Sequence, residues 1–538
     1  MMSKLQSILS KSILFLLALS LVLTGCSNKT STSSDEDEGT KDKARYTLDE
    51  NKPAWKLDTK KETTTLTWYV NADWWDTDFG KDFVTKKIKK DLNIDIKFIT
   101  GDDTKLNALF SGGDVPDIIS TFDSTSQVAK KANTWAMPLE ELADKYDPYF
   151  HKVAAKDTLN WHKIEDGKTY GYANYSNTQA DYDSGIITSG TAFIIRKDVY
   201  EALGKPSMRT PEEFESVMEQ IKSQFPKLIP FGPGEAFGDV LQDYIGVPLE
   251  TEDGKFYNRN LDKDYLTWLQ TFNKIYKNGG ISDDSFADDN TIFEEKVKAG
   301  KYASMLVSGL AQKSNALQTF MTNNPGKEYI AIDGPQSTVG NEPTLPQAGI
   351  TGWMMNYISK NCKDPAKAIQ LFTYLLSEEG QILVTYGIEG ETYNVNADGK
   401  YEYLPEIKEL RLNNPEKFKK EYRMFEFFFF GHERYNALSN DAYLEAIQQM
   451  QDWGKGKLKP QFIIEGINPD QGTPEARSLS AIDTNWATTL VSMVRAKNDK
   501  EFDKLIAEYQ KFLDQNNWNK ISEIRNKKME INREKLGM

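Results

Sequence analysis

Short apolar runs alternate along this chain with stretches whose apolar residues recur at helical spacing. Thr65–Val70 reads as a strand, Phe79, Phe83, Val84 and Ile88 fall on one helix face, and Ile94, Ile96 and Phe98 give the period of two of a second strand. A helix around Leu106–Phe110 is stopped by Gly112-Gly113, and a buried strand opens at Pro116-Asp117-Ile118-Ile119. Strand, helix, strand, helix, strand predicts a parallel, doubly wound α/β sheet. Further on, Phe193-Ile194-Ile195 predicts another strand, and Thr210-Pro211-Glu212-Glu213 is a capping box that opens a helix carrying Phe214, Val217, Met218, Ile221 and Phe225. Tyr265, Trp268, Leu269, Phe272 and Ile275 predict a second long helix, closed by Gly279-Gly280. Tyr302–Val307 reads as a strand, Asp364-Pro365 caps a later helix, and Phe427–Phe430 reads as buried sheet. A chain of 538 residues with this alternation is long enough for two lobes.

The N-terminus follows different rules. Lys4 and Lys11 precede an apolar run of 11 residues, Ile13–Leu23, too short for a bilayer-spanning helix of about 20. It ends in Leu23-Thr24-Gly25-Cys26, which resembles the lipobox of bacterial lipoproteins. That resemblance implies cleavage before Cys26, a diacylglyceryl group on its thiol, and a protein held on the outer face of the cytoplasmic membrane. Two acyl chains anchor stably where one does not. Residues 27–45 carry no large apolar side chain and include Asp35-Glu36-Asp37-Glu38, so they read as a flexible tether with a reach on the order of 25 Å.

Composition narrows the chemistry. Asp and Glu number 80 against 66 Lys and Arg, an acidic balance that repels phosphate backbones, so nucleic acid is not an expected partner. Three His and two Cys leave little for a zinc or iron site, and neither a cofactor nor a metal is implied. With Cys26 acylated, Cys362 has no disulfide partner. Catalytic signatures fail in detail: Glu433 follows His432 but position 436 is Asn, which breaks the two-His zinc helix, and Gly-x-Ser-x-Gly does not occur.

Several motifs, in order, resemble the carbohydrate-type extracellular solute-binding proteins of ABC importers, in their large Gram-positive lipoprotein branch. They are Ser111-Gly112-Gly113-Asp114-Val115-Pro116-Asp117-Ile118, Asp166-Gly167-Lys168-Thr169-Tyr170-Gly171, Ile195-Arg196-Lys197-Asp198, Thr210-Pro211-Glu212-Glu213-Phe214, Ala299-Gly300-Lys301-Tyr302 and Gly387-Ile388-Glu389-Gly390-Glu391-Thr392-Tyr393. The resemblance implies two α/β lobes of the periplasmic-binding-protein type, joined by crossing segments, with a sugar in the cleft. It assigns a signal peptide to 1–25, the acylated Cys and tether to 26–62, the first lobe to 63–189 plus 310–390, and the second to 190–309 plus 391–538. The calcium loop that some relatives carry before Ile229-Pro230-Phe231 is missing here. The implied partners are an oligosaccharide, the permease subunits of an ABC importer and the membrane, with the protein itself a monomer and not an enzyme. A surface-anchored carbohydrate-active enzyme and a non-transport glycan-sensing lipoprotein are the alternatives.

Sugar rings present apolar faces edged by hydroxyls, so a receptor needs aromatic platforms beside carboxylates and amides. In a doubly wound sheet these belong beyond the carboxyl ends of the strands. Asp73-Trp74-Trp75 after the first strand supplies that chemistry, and adjacent indoles in a loop cannot both face one core. Asp123, after the third strand, is a second candidate, with an N-cap of the helix containing Val128 as its other role. Glu235 and Phe237, after a second-lobe strand, are a third. Trp353 lies in an apolar strand pattern that favours the core, with ligand contact as the alternative.

Overall fold

The computed structural model describes residues 45–122, 124, 126–347, 349–439 and 444–538. Cys26, the leader and Asp123 lie outside the described residues. Among the described residues nine strands build the two larger sheets: β1 Thr64–Val70, β2 Ile94–Thr100, β3 Ile118–Thr121, β4 Gly171–Ala173, β5 Ala192–Arg196, β6 Ile229–Gly232, β7 Tyr302–Val307, β8 Tyr329–Ala331 and β9 Met355–Ile358. The first sheet runs β2-β1-β3-β9-β4 and the second β6-β7-β5-β8.

Both sheets are mixed, which corrects the all-parallel expectation. β1 pairs in parallel with β2 and β3, as the strand-helix-strand pattern requires, but β9 enters antiparallel between β3 and β4. In the second sheet β6 and β7 are parallel while β5 runs against both β7 and β8. The reversed strands are contributed by distant segments, so no local connection dictates their direction.

Local signals explain the element boundaries. Gly113 takes the left-handed conformation (φ 78°) that ends the helix Asp103–Gly112. Thr210 and Glu213 form the expected capping box on the helix Pro211–Gln224. The first helix begins at Phe83, because the Asp82 side chain accepts from Thr85 N; Phe79 lies ahead of it, buried in the loop. Asp289 caps the helix Asn290–Lys298, its side chain accepting from Ile292 N.

Sheet membership departs from the expected lobe boundaries. β8 belongs to the second sheet, so the chain returns to the first between β8 and β9 and not near 310. Tyr393, Tyr403, Phe418 and Phe427–Phe430 pack in the first core with Trp68 and Phe372, so residues 391–430 do not join the second lobe. Later helices do so, Glu445–Trp453 packing Ile447 and Met450 with Tyr329 and Ala331, and Pro474–Val494 and Asp499–Gln515 placing Ile482, Trp486, Phe502 and Tyr509 in the core of Trp268 and Phe272. The apolar content of Phe427–Phe430 is compatible with either core, and periodicity carries no information about which.

Residues 45–62 are also not tether. Trp55 is buried edge-on against Tyr374 with ring centroids 5.2 Å apart. Arg45 forks onto Asp364 at 2.8 and 3.0 Å, and Lys60 donates to the same carboxylate at 2.7 Å. Burial pushes the Asp364 pKa up, but these hydrogen bonds win and hold it at about 2. Deeper in the strap, Asp58 and Lys367 are 3.0 Å apart with almost no exposure. One Trp and a set of ion pairs supply what the polar composition lacks and dock the chain from Arg45 onward.

Asp147 receives this strap at a cost. It accepts from Ala54 N at 3.0 Å in a fully buried setting, and burial pushes its pKa up to about 6. A carboxyl whose folded pKa lies above the unfolded value is best tolerated when protonated, so stability falls as pH rises from about 4 to 6, by about 2–3 kcal/mol. Asp147→Asn keeps an acceptor without the charge. It is expected to raise Tm at neutral pH and to flatten the pH dependence of Tm over that window, as measured by calorimetric melts.

Candidate functional site

Four strand ends of the first sheet open on one edge. β1 ends at Val70, β3 at Thr121 and β4 at Ala173, and the antiparallel β9 starts there, with Met355 opposite both Thr121 and Ala173. The loops that leave or enter this edge carry Trp74, Phe122, Tyr175 and Trp353.

The adjacent indoles divide as their chemistry requires. Trp75 is 5% exposed and packs on Phe429 at 4.8 Å, whereas Trp74 is 62% exposed. Phe122 is 37% exposed and Trp353 39%. Trp353 therefore leaves the core that its apolar surroundings suggested: it precedes β9 and stands on the open edge. Its ring lies nearly parallel to Phe122 (5.7 Å, 9°) and to Tyr175 (6.2 Å, 18°), and Phe428 abuts it at 5.0 Å. Trp74 continues the series, 6.5 Å from both Phe122 and Phe428. The result is a row of rings along the sheet edge in which Trp74, Phe122 and Trp353 reach solvent.

The row stands on an irregular segment, and irregular buried backbone must find partners for its carbonyls. Phe427, Phe429 and Phe430 are buried and Phe428 is half-buried, but residues 427–430 form no strand, contrary to expectation. Asn174 Nδ2 donates to Phe428 O at 3.2 Å, Asn356 Nδ2 to Phe429 O at 2.5 Å, and Gln381 Nε2 to Phe430 O at 2.7 Å. The same Asn174 accepts from Met354 N at 2.9 Å, which fixes the backbone beside Trp353. Asn356 is tied inward through Ser120 to the indole of Trp68, at 2.6 and 2.8 Å. Buried amides thus carry the geometry of strands β1, β3 and β9 to the rings above them.

Arg423 holds the Asp73–Asp82 loop. It is buried, its guanidinium lies 5.0 Å from the Trp75 ring, and it donates to Asp76 O at 2.6 Å and to Asp78 O. The carboxylate of Asp82 is 3.8 Å away. A planar fork on two carbonyls and a ring face is a geometry Lys cannot copy. Both Arg423→Ala and Arg423→Lys are expected to speed amide exchange across residues 73–82, the Ala variant costing about 2–4 kcal/mol of stability; hydrogen-exchange mass spectrometry and melts read the two effects.

The second sheet offers a smaller edge. β6 ends at Gly232 opposite Met305, and the parallel β7 runs on to Val307. Glu235 is exposed there and accepts from Ser308 Oγ at 3.3 Å. Phe237, by contrast, is 5% exposed and packs on Phe272 at 4.9 Å, so it is a core residue and not a ligand contact. The N-cap of the short helix Gln127–Lys130 is Ser126, whose side chain accepts from Ala129 N, so that role does not fall to Asp123. Among the described residues no group of three or more His, Cys, Asp or Glu is arranged to hold a metal ion, and no helix is long and apolar enough to cross a membrane. Phe122 and Tyr175 were not named as candidates from the sequence; their signal is positional, a ring just past a strand end, whereas Phe428 lies in the run read as buried sheet.

Comparison with known proteins agrees with this architecture. The family described as bacterial extracellular solute-binding protein matches residues 69–382, which include every ring of the row except Phe428. Two relatives from Bacillus subtilis (strain 168) align: lipoprotein LipO, 24% identical over 56% of this chain and 61% of its own length, and the polygalacturonan/rhamnogalacturonan-binding protein YtcQ, 23% identical over 59% of this chain and 65% of its own. The chain thus spans less than two thirds of each curated relative. Among solved structures, the alginate-binding protein AlgQ2, crystallised without calcium, superposes with a TM-score of 0.63 at 17% identity, covering 88% of this chain and 99% of that one.

Proposed function

The chain belongs to the family of bacterial extracellular solute-binding proteins, and we propose that it captures an oligosaccharide between its two lobes and delivers it to an ABC importer. The observation that carries this reading is the row Trp74, Phe122, Trp353 and Tyr175 on the carboxyl edge of the first sheet. Pyranose faces stack on such rings, and the rule for open α/β sheets puts ligands at that edge. Glu235 and Ser308 on the second sheet supply polar partners for hydroxyls from the other side. The names of YtcQ and AlgQ2, both polysaccharide-binding proteins, support the same ligand class.

A ligand that touches both lobes gains contacts in the closed form that the open form lacks, and shifts the population by that difference. Closure would then report occupancy to the permease. No step of this cycle needs bond making or breaking, and the reading is binding without turnover. A thermal-shift screen of oligosaccharides tests it: a ligand at 100 times its Kd adds about 2.7 kcal/mol of stability. Prolonged incubation with the ligand so found is expected to return it intact on chromatography, and repeated cleavage would move the protein to the enzyme class.

Attachment to the membrane through Cys26 belongs to the same proposal. It rests on the h-region and the Leu23-Thr24-Gly25-Cys26 sequence. Mass spectrometry of the protein from its native host is expected to show a diacylglyceryl-modified Cys26 as the first residue. An unmodified peptide beginning before Cys26 would refute it.

A further inference from the structure

The charges around the aromatic row point to a ligand class. Asp73 is exposed beside Trp74, and Asp103 lies at the end of β2, held by Asn71 Nδ2 at 2.7 Å. Glu433 is close enough to Tyr175 that its field adds to burial in raising the phenol pKa. On the second sheet, the exposed side chain beside Ser308 is again a carboxylate, Glu235. Cations on the segments that carry these carboxylates are turned to protein partners, Arg434 beside Glu433 donating to Tyr435 Oη at 3.0 Å. Arg423 is buried under Trp75 on two backbone carbonyls, Lys105 donates to Thr100 O at 2.6 Å, Lys81 pairs with Asp78 at 2.8 Å, and Lys313 donates to Ser308 O at 2.9 Å. Among the described residues no Lys or Arg lies over Trp74, Phe122, Tyr175, Trp353 or Phe428.

From this arrangement, and resting on the oligosaccharide-receptor reading, we infer that the site selects uncharged oligosaccharides and rejects those built of uronic acids. A uronate carboxylate laid on the row meets the negative face of each ring and the carboxylates that edge it. It also gives up water without gaining a cation, and an unpaired charge on a partly dry surface is costly. A neutral pyranose loses nothing of this kind: its C–H faces stack, and its hydroxyls donate to Asp73, Glu433 and Glu235, which are acceptors when ionised. The carboxylates that repel an acidic sugar are thus the groups that orient a neutral one. This separates the chain from relatives named for polygalacturonan and alginate, whatever fold they share.

The test pairs each neutral oligosaccharide with the uronate of the same length and linkage, galacto- with galacturono- and manno- with mannurono-oligosaccharides, and adds cello- and xylo-oligosaccharides. Binding is read by calorimetry on the full mature chain at low salt, where charge effects are largest. The expected result is that every binder lies in the neutral set, with at least tenfold weaker affinity for its uronate partner. Asp73→Asn is expected to narrow that ratio, whereas a residue with only a structural role would weaken both sets alike. A uronate that binds as tightly as its neutral partner, or more tightly, overturns the inference and leaves the receptor reading standing. No binding in either set, with the fold intact, removes the receptor reading and the selectivity with it.

Discussion

Trp353→Ala is expected to lower oligosaccharide affinity by about 2–4 kcal/mol, roughly 30- to 1000-fold, with little change in Tm. Trp353 is the central ring of the row, with Phe122 on one face, Tyr175 near parallel to it and Phe428 against it. Truncation removes one sugar platform and leaves its neighbours unsupported. The stability cost is smaller, since more than a third of the side chain is already in water. Trp74→Ala removes a more exposed ring at the end of the row and is expected to cost less, about 0.5–1.5 kcal/mol of stacking. Calorimetric titration of both variants, with melts as the control for folding, checks the order. Equal, full affinity in both would place the ligand elsewhere.

The second large effect concerns the strap and not the cleft. Asp58→Ala is expected to destabilise the protein by about 3–5 kcal/mol, because it leaves the buried ammonium of Lys367 without its counter-charge. Burial already lowers the Lys367 pKa against the pull of Asp58. A cation whose folded pKa is depressed is favoured when neutral, so the unfolded chain binds more protons at high pH and stability rises as pH rises through the folded pKa. The loss in Asp58→Ala should therefore shrink on the alkaline side. Adding Lys367→Met removes the stranded charge and is expected to recover most of the loss, a coupling that a double-mutant cycle by chemical denaturation measures directly.

Much of the local structure was legible in the residues. β1, β2 and β3, the stop at Gly113 and the capping box at Thr210 each rest on a signal within a few positions. The division of labour between Trp74 and Trp75 followed from the same local logic, since neighbouring side chains leave a strand end in different directions. What escaped was long-range. The antiparallel entry of β9 depends on a partner more than two hundred residues away in sequence, and with it the exposure of Trp353, two residues before that strand. The docking of residues 45–62 depends on Asp364 and Lys367, far along the chain, so a polar composition that promised a tether became an ion-paired strap. Phe427–Phe430 gave the right burial and the wrong backbone, because Asn174, Asn356 and Gln381 satisfy its carbonyls where a sheet would have done so. Phe237 shows the converse: a ring after a strand end in the sequence, but one turned into the second core by the bend at Ala236–Val240.

The central proposed contact is an oligosaccharide lying along Trp74, Phe122 and Trp353. A crystal structure of the protein with the oligosaccharide identified by the thermal-shift screen tests it most directly. The expected density places sugar rings on Trp353 and Trp74, with hydroxyls reaching Asp73 on the first sheet and Glu235 or Ser308 on the second. A sugar bound away from this row, with those rings still bare to solvent, would contradict it.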